Sequence, residues 1–162
     1  MIRFVLNGDP VELPAAPHET LLDVLRREHV LGCRESCGIG VCGVCSVIVD
    51  HHVVASCIML AQLVDGAQVE TIEGIGIPGS LNDLQEAFIR EAALQCGFCT
   101  PAMVLTATQL LRDIPRPSDD EIALYLAGNI CRCGAYPQII DAIRVAAGER
   151  AAATGDQSDP RE

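Results

Sequence analysis

The sequence predicts an α+β chain in two parts, a small strand-rich half followed by a helical half. Three observations predict it. Short apolar runs separated by turn residues fill the chain to about residue 76. Apolar residues at helical spacing take over after residue 80. Between them, Glu73-Gly74-Ile75-Gly76-Ile77-Pro78-Gly79-Ser80 is rich in glycine and proline and has no regular period, which marks a boundary. The expected division is residues 1–76, residues 77–148 and a mobile tail over 149–162.

In the first half, Ile2 to Leu6 is expected as a strand. Asn7-Gly8-Asp9-Pro10 is a turn signal, and Val11-Glu12-Leu13 returns as a second strand. Pro14 and Pro17 mark a loop. Thr20 then caps a helix from about Leu21 to Glu28, with Asp23 at its third position and Leu21, Leu22, Val24 and Leu25 as its apolar residues. Ser46-Val47-Ile48-Val49 and His52-Val53-Val54-Ala55 read as a hairpin around Asp50-His51. Ile58 to Leu63 reads as a short helical turn and Gln68 to Ile72 as the last strand.

The loop before that hairpin carries Cys37-x4-Cys42-x2-Cys45. This is the plant-type spacing for a 2Fe–2S cluster, which needs one more cysteine downstream. Cys57, twelve residues past Cys45 and at the end of the hairpin, is placed to supply it. Gly38, Gly40 and Gly43 let backbone approach a cluster and adopt positive φ without a Cβ clash. A zinc site is the alternative, because Cys42-x2-Cys45 alone suits one. Zinc ribbons usually pair two such knuckles, however, and the x4 step is foreign to them. Cys33 is left over, since Cys33-x8-Cys42 breaks the pattern; it reads as a buried free thiol, or else as a stand-in ligand.

The second half reads as four helices. Ser80 caps the first, from about Leu81 to Ala93, with Asp83 at its third position and a stripe of Leu81, Leu84, Phe88 and Ala92. Cys96-Gly97-Phe98-Cys99 follows, and Thr100-Pro101 opens a helix to about Leu111. Ser118-Asp119-Asp120-Glu121 is a capping box for a third helix to about Ala127, ended by Gly128-Asn129. After Cys131-Arg132-Cys133, Pro137 opens the fourth helix, to about Ala147, with Ile139, Ile140, Ile143 and Ala147 on one side. Each cysteine pair thus precedes a helix. Two helix N-termini can face one anionic cluster there. Four thiolates suffice for a second 2Fe–2S cluster, with zinc again the alternative.

Composition narrows the class. The formal net charge is −11, and all eleven basic residues are arginine. Each oxidised 2Fe–2S cluster adds about −2 more, which disfavours nucleic-acid binding. Nine cysteines, an odd number, argue against a closed disulfide set. Met1-Ile2-Arg3-Phe4-Val5-Leu6 reads as a strand rather than a secretion signal, and no run reaches the length of a membrane span, so a cytoplasmic metalloprotein is expected. His18, His29, His51 and His52 lie in loops, a turn or a helix end, and offer no proton-transfer site. No glycine loop of phosphate-binding order is present.

On its cysteine motifs and their flanks the chain resembles the iron–sulfur small subunit of the molybdenum hydroxylases, the xanthine dehydrogenase family. The residues that carry the resemblance are Gly32, the loop from Cys37 to Cys45, Ser56-Cys57, the run from Gln95 to Met103, and the run from Gly128 to Tyr136. It spans about residues 1 to 147. The family often has glycine at Ala102, Ala135 and His51 and threonine at Gly134, and usually lacks a cysteine at Cys33.

The resemblance implies a β-grasp, plant-type ferredoxin-like domain followed by a four-helix 2Fe–2S-binding domain. Cys37, Cys42, Cys45 and Cys57 hold one cluster, and Cys96, Cys99, Cys131 and Cys133 the other. It implies two partners, a large molybdopterin subunit and a medium FAD subunit. The large subunit hydroxylates a substrate C–H bond with oxygen from water. This chain passes electrons singly, from molybdenum to the helical-domain cluster, to the ferredoxin-like cluster, to flavin. By position, Gln95 and Cys133 contact the pterin; without the resemblance, Gln95 is an ordinary polar residue at a helix end. A free-standing two-cluster ferredoxin and a zinc-stabilised binding module are the competing readings.

Overall fold

A computed structural model describes residues 1–76 and 79–153, with side chains to residue 148. Residues 77 and 78 of the expected boundary, and residues 154–162 of the expected tail, lie outside the described residues.

The first half forms β1 (Ile2–Leu6), β2 (Asp9–Leu13), α1 (Leu21–Arg27), β3 (Ser46–Val49), β4 (His52–Ala55) and β5 (Gln68–Glu70). The strands make one sheet in the order β2-β1-β5-β3-β4. β1 and β5 run parallel, and the other neighbours are antiparallel. Both hairpins turn on two residues with positive φ, Asn7 (52°) with Gly8 (93°) and Asp50 (45°) with His51 (68°). That conformation matches the right-handed twist of the flanking strands. The first turn is tighter than the four residues expected from sequence: Asp9 and Pro10 already pair with Leu6 and Val5. Pro10 is tolerated because β2 is an edge strand, where its missing N–H breaks no ladder. The last strand is also shorter than expected, because Ile72–Gly74 turns into a 3₁₀ segment. The short helical turn falls at Ala61–Val64.

α1 begins in the expected capping box between Thr20 and Asp23. It ends as His29 takes φ 62° and Val30 N–H donates to the Leu25 carbonyl, a left-handed cap that satisfies the last turn.

The second half forms α2 (Asp83–Arg90), α3 (Thr100–Asp113), α4 (Asp119–Tyr125) and α5 (Tyr136–Ala153). The cap of α2 is Asn82 with Gln85, not Ser80 with Asp83. α2 also stops three residues early. Ala92 takes φ 50° and Ala93 N–H donates to the Phe88 carbonyl, which turns the chain toward Cys96. The expected stripe is therefore truncated: Leu84 and Phe88 are buried, while Leu81 and Ala92 are exposed. α4 starts in the Ser118–Glu121 box as expected. α5 runs past Ala147 to Ala153, so the first five residues of the expected tail are helical.

Two cores result. Val47, Val49, Ile2, Phe4 and the apolar residues of α1 form one. α3, buried from Ala102 to Leu111, is the axis of the other, with α2, α4 and α5 around it. β3 belongs to both: every residue of it is buried, and Ile48 joins the helical core while its neighbours face α1. A strand covered on both faces reads as an unbroken apolar run, as Val47-Ile48-Val49 does. α3 thus covers the sheet face that α1 leaves open, and this contact sets the two cysteine loops side by side.

Candidate metal centres

Each cysteine quartet sits where the local fold leaves backbone N–H groups free. In the first, Gly38, Gly40 and Gly43 all have positive φ, as expected. They curl the loop so that the N–H groups of Ile39, Cys42 and Val41 point at Cys37 Sγ and pull its pKa down to about 6. The Cys42 N–H lies 3.4 Å from that sulfur. Donors aimed at sulfur favour the thiolate, the form that binds iron.

Cys57 arrives by way of Ser56, which is fully buried. The Ser56 hydroxyl and N–H both donate to the Cys45 carbonyl, at 2.7 and 3.3 Å. The hairpin is thereby pinned with Cys57 against Cys45. Burial first, then the neighbouring Cys45 thiol, pushes Cys57 up to about 11, and the Gly40 N–H opposes that shift. The ninth cysteine, Cys33, is buried beside Cys45; burial, Glu73 and Cys45 push it up to about 12. A neutral thiol in the α1 core is what the spacing predicts.

In the second quartet, Cys99 is the N-cap residue of α3, and Cys131 and Cys133 lead into α5. The Phe98 N–H and the Cys133 thiol lower Cys96. Burial raises Cys99 to about 12, with the Cys131 thiol adding to it. Burial acts to raise Cys131 as well, but the Ala135 N–H, the Cys99 thiol and the Cys133 and Gly134 N–H groups outweigh it and leave the thiol below its usual value.

The sulfurs therefore meet two by two: Cys37 with Cys42, Cys45 with Cys57, Cys96 with Cys133, and Cys99 with Cys131. Cys45, Cys57, Cys99 and Cys131 are buried; Cys37 and Cys42 are half-buried, and Cys96 and Cys133 are exposed. Each quartet has an inner pair and an outer pair. Among the described residues, no three His, Cys, Asp or Glu side chains converge on a point for one metal ion. A two-iron cage takes its thiolates in pairs, and four cysteines arranged as two pairs fit it. All nine cysteines are unpaired.

The structure also brings Gln95 to Cys133: the Gln95 Nε2 donates to the Cys133 carbonyl at 3.3 Å on the exposed side. The four histidines, His18, His29 and the adjacent His51 and His52, are all exposed.

Several residues that spacing did not single out join the quartets. The Ile130 N–H, one residue before Cys131, donates to the Cys42 carbonyl at 2.9 Å. Asn129 is buried beneath it. The Tyr136 hydroxyl accepts from Cys131 N–H at 2.8 Å and donates to the Asn129 carbonyl at 3.3 Å. The Arg34 guanidinium lies 5.5 Å from the centre of the Phe98 ring, so a residue of the first loop reaches the second. Farther off, Arg112 on α3 grips Glu70 of β5 with two bonds, 2.8 and 2.9 Å.

Two family models match the chain. Residues 4–72 match the family model of a 2Fe-2S iron-sulfur cluster binding domain, and residues 71–144 that of a [2Fe-2S] binding domain. The nicotinate dehydrogenase small FeS subunit of Eubacterium barkeri is 41% identical over 146 residues, 90% of this chain and 93% of that one. The nicotine 6-hydroxylase small subunit of Paenarthrobacter nicotinovorans is 41% identical over 145 residues, 89% of this chain and 87% of that one. Among solved structures, quinoline 2-oxidoreductase from Pseudomonas putida 86 superposes with a TM-score of 0.88 at 41% identity, covering 96% of each chain. The aldehyde oxidoreductase of Desulfovibrio gigas also gives 0.88, at 37% identity, over 97% of this chain and 18% of that longer one.

Proposed function

Since the chain belongs to the molybdenum hydroxylase (xanthine dehydrogenase) family as an iron–sulfur small subunit, we propose that it relays single electrons from a molybdopterin centre to FAD, both held by partner subunits, by way of two 2Fe–2S clusters. It is one subunit of an oxidoreductase, and substrate conversion belongs to the large subunit. When bound, each cluster supplies one-electron redox chemistry. Cys37, Cys42, Cys45 and Cys57 hold the first, in a β-grasp, ferredoxin-like domain over residues 1–76. Cys96, Cys99, Cys131 and Cys133 hold the second, in a four-helix domain over residues 77–148.

The observation that carries this reading is the junction of the two quartets. Ile130, the residue before Cys131, donates its N–H to the Cys42 carbonyl, so the backbone leading into one site meets the backbone of the other.

The surroundings of the outer pairs support two docking faces. Ile39, Val41 and Ile58 are exposed beside the first quartet, with Ile58 packed against Gly40. We assign this face to the medium FAD subunit. Leu94, Phe98, Ile130 and Tyr136 are exposed around the second. We assign that face to the large subunit, with Gln95 and Cys133 against the pterin. Exposed apolar side chains grouped around a redox site suit burial by a partner, which also excludes water. No helix among the described residues is long and apolar enough to cross a membrane. With nine unpaired cysteines, a reducing cytoplasm is the compartment we assign.

Reduced protein is expected to show two distinct S = ½ EPR signals and about four irons per chain. Zinc without iron, or a single signal with two irons, overturns the assignment. Affinity capture of the full chain is expected to bring a molybdenum-containing partner with it. Recovery as a monomer with both clusters and no molybdenum partner makes it a free-standing two-cluster ferredoxin instead.

A further inference from the structure

Between the two quartets lies a seam built largely of backbone. Gly43 faces Gly128 so closely that a Cβ on Gly43 would come within 3.0 Å of the Gly128 carbonyl carbon and nearer still to its oxygen. The Ile130 N–H meets the Cys42 carbonyl beside it. The side chain at its centre is Asn129, 5% exposed. Its Nδ2 donates to the Gly43 carbonyl at 2.9 Å and to Ser46 Oγ at 3.3 Å. Its Oδ1 accepts from Thr106 Oγ1 of α3 at 3.2 Å. Only this orientation of the amide works, because the Gly43 carbonyl can accept but cannot donate. Ser46 Oγ in turn donates to the same carbonyl at 2.7 Å, so the loop end is fixed from both sides.

We propose that Asn129 is a positioning residue for electron exchange between the two cysteine quartets. Its carboxamide ties the end of the first loop to α3, and that tie sets the register in which Ile130 meets Cys42. An electron leaving one site for the other crosses this contact, with no bond made or broken and no proton required. The inference rests on the relay function proposed above. It adds to it which residue fixes the coupling between the sites. Its contribution is to hold the backbone leading into Cys131 against the Cys42 carbonyl.

The test uses the full, iron-loaded chain. An external photoreductant injects one electron, and freeze-quenched EPR follows its redistribution between the two signals. Asn129→Ala removes the tie. Asn129→Asp keeps its shape but turns a carboxylate oxygen, which cannot donate, toward the Gly43 carbonyl. Ile143→Val, buried on α5 away from the seam, is the control for lost stability. Both Asn129 variants are expected to keep about four irons and both signals while redistribution slows severalfold. Ile143→Val keeps the parent rate. Parent-like exchange in both Asn129 variants overturns the proposal, and so does equal slowing in Ile143→Val. Loss of a cluster from both variants also overturns it, by making Asn129 a residue of cluster retention. Fewer than about four irons in the parent chain instead removes the relay reading itself, and this proposal with it.

Discussion

Replacing Gly43 by alanine tests the seam between the domains through a single methyl group. The added Cβ falls 2.8 Å from Asn129 Nδ2 and 3.0 Å from the Gly128 carbonyl carbon, with the carbonyl oxygen closer yet. Ordinary contact begins near ~3.5 Å, so the two backbones must part by about 1 Å. Two hydrogen bonds span this gap, Ile130 to Cys42 and Asn129 to Gly43, both at 2.9 Å. Stretching them removes about 1 kcal/mol each. Alanine at the Gly43 φ of +67° costs about 1–2 kcal/mol more. The sum is about 3–4 kcal/mol, or about 6–16 °C of melting temperature for a chain of this size. Gly66→Ala supplies the matched comparison. Gly66 also has positive φ, +82°, but open space around its missing Cβ. It carries only the backbone cost, about 1–2 kcal/mol. Thermal melts of both variants, followed by circular dichroism at one scan rate with iron counted beforehand, are expected to place Gly43→Ala clearly below Gly66→Ala. Coincident melting curves would refute the reasoning, because the contact with Gly128 would then cost nothing.

Three further outcomes follow from contacts described above. Ala92→Gly is expected to raise stability by about 0.5–1 kcal/mol in denaturant titration, since Ala92 sits exposed at φ 50° where glycine has no Cβ penalty. Glu70→Gln breaks the two-bonded grip of Arg112, which holds the Glu70 carboxyl below its usual range. Because the pair is about a third exposed, the loss at pH 7 is about 0.5–1 kcal/mol. A carboxyl with a depressed folded pKa contributes stability above its unfolded value of about 4.3 and loses it as pH falls through the lower folded value. The gap between parent and variant, read from melts across pH, is therefore expected to close below pH ~4. Finally, Cys131→Ser removes an inner ligand of the second quartet alone. Iron is expected to fall from about four to about two per chain, with one EPR signal kept; loss of both signals would mean that the quartets do not load independently.

Much of this was legible in the residues. The cysteine spacings picked out the thiols that the structure brings together in pairs, Cys45 with Cys57 and Cys99 with Cys131 among them, because spacing within a loop is a local property. The capping boxes at Thr20 and Ser118, and the Asp50-His51 turn, were legible for the same reason. The errors share a cause. Asn82 displaces Ser80 as the cap of α2 because Gln85, its partner in the box, also reaches the Ile75 carbonyl at 2.6 Å, a tertiary contact. Ala92 ends that helix in a conformation alanine does not advertise. α5 outruns its apolar stripe because alanine is the strongest helix former. The seam left no local mark at all: Asn129 and Gly43 are 86 residues apart. From spacing alone Asn129 reads as a helix stop, although it lies in the Gly128–Tyr136 run that carries the family resemblance.

The strand β3 has a consequence for how such a chain can be cut or recombined. Because Ile48 is part of the helical core while Val47 and Val49 are part of the other, the glycine- and proline-rich stretch after residue 72 separates the halves in sequence only. Expressed by itself, the front half would present a bare hydrophobic sheet face to water, and the rear half would lack a wall. A chimera joining the front of this protein to the rear of a relative has to match Ile48 to the helix it meets. Inheritance of the two halves is expected to be linked, so that they diverge as one module rather than as two interchangeable parts.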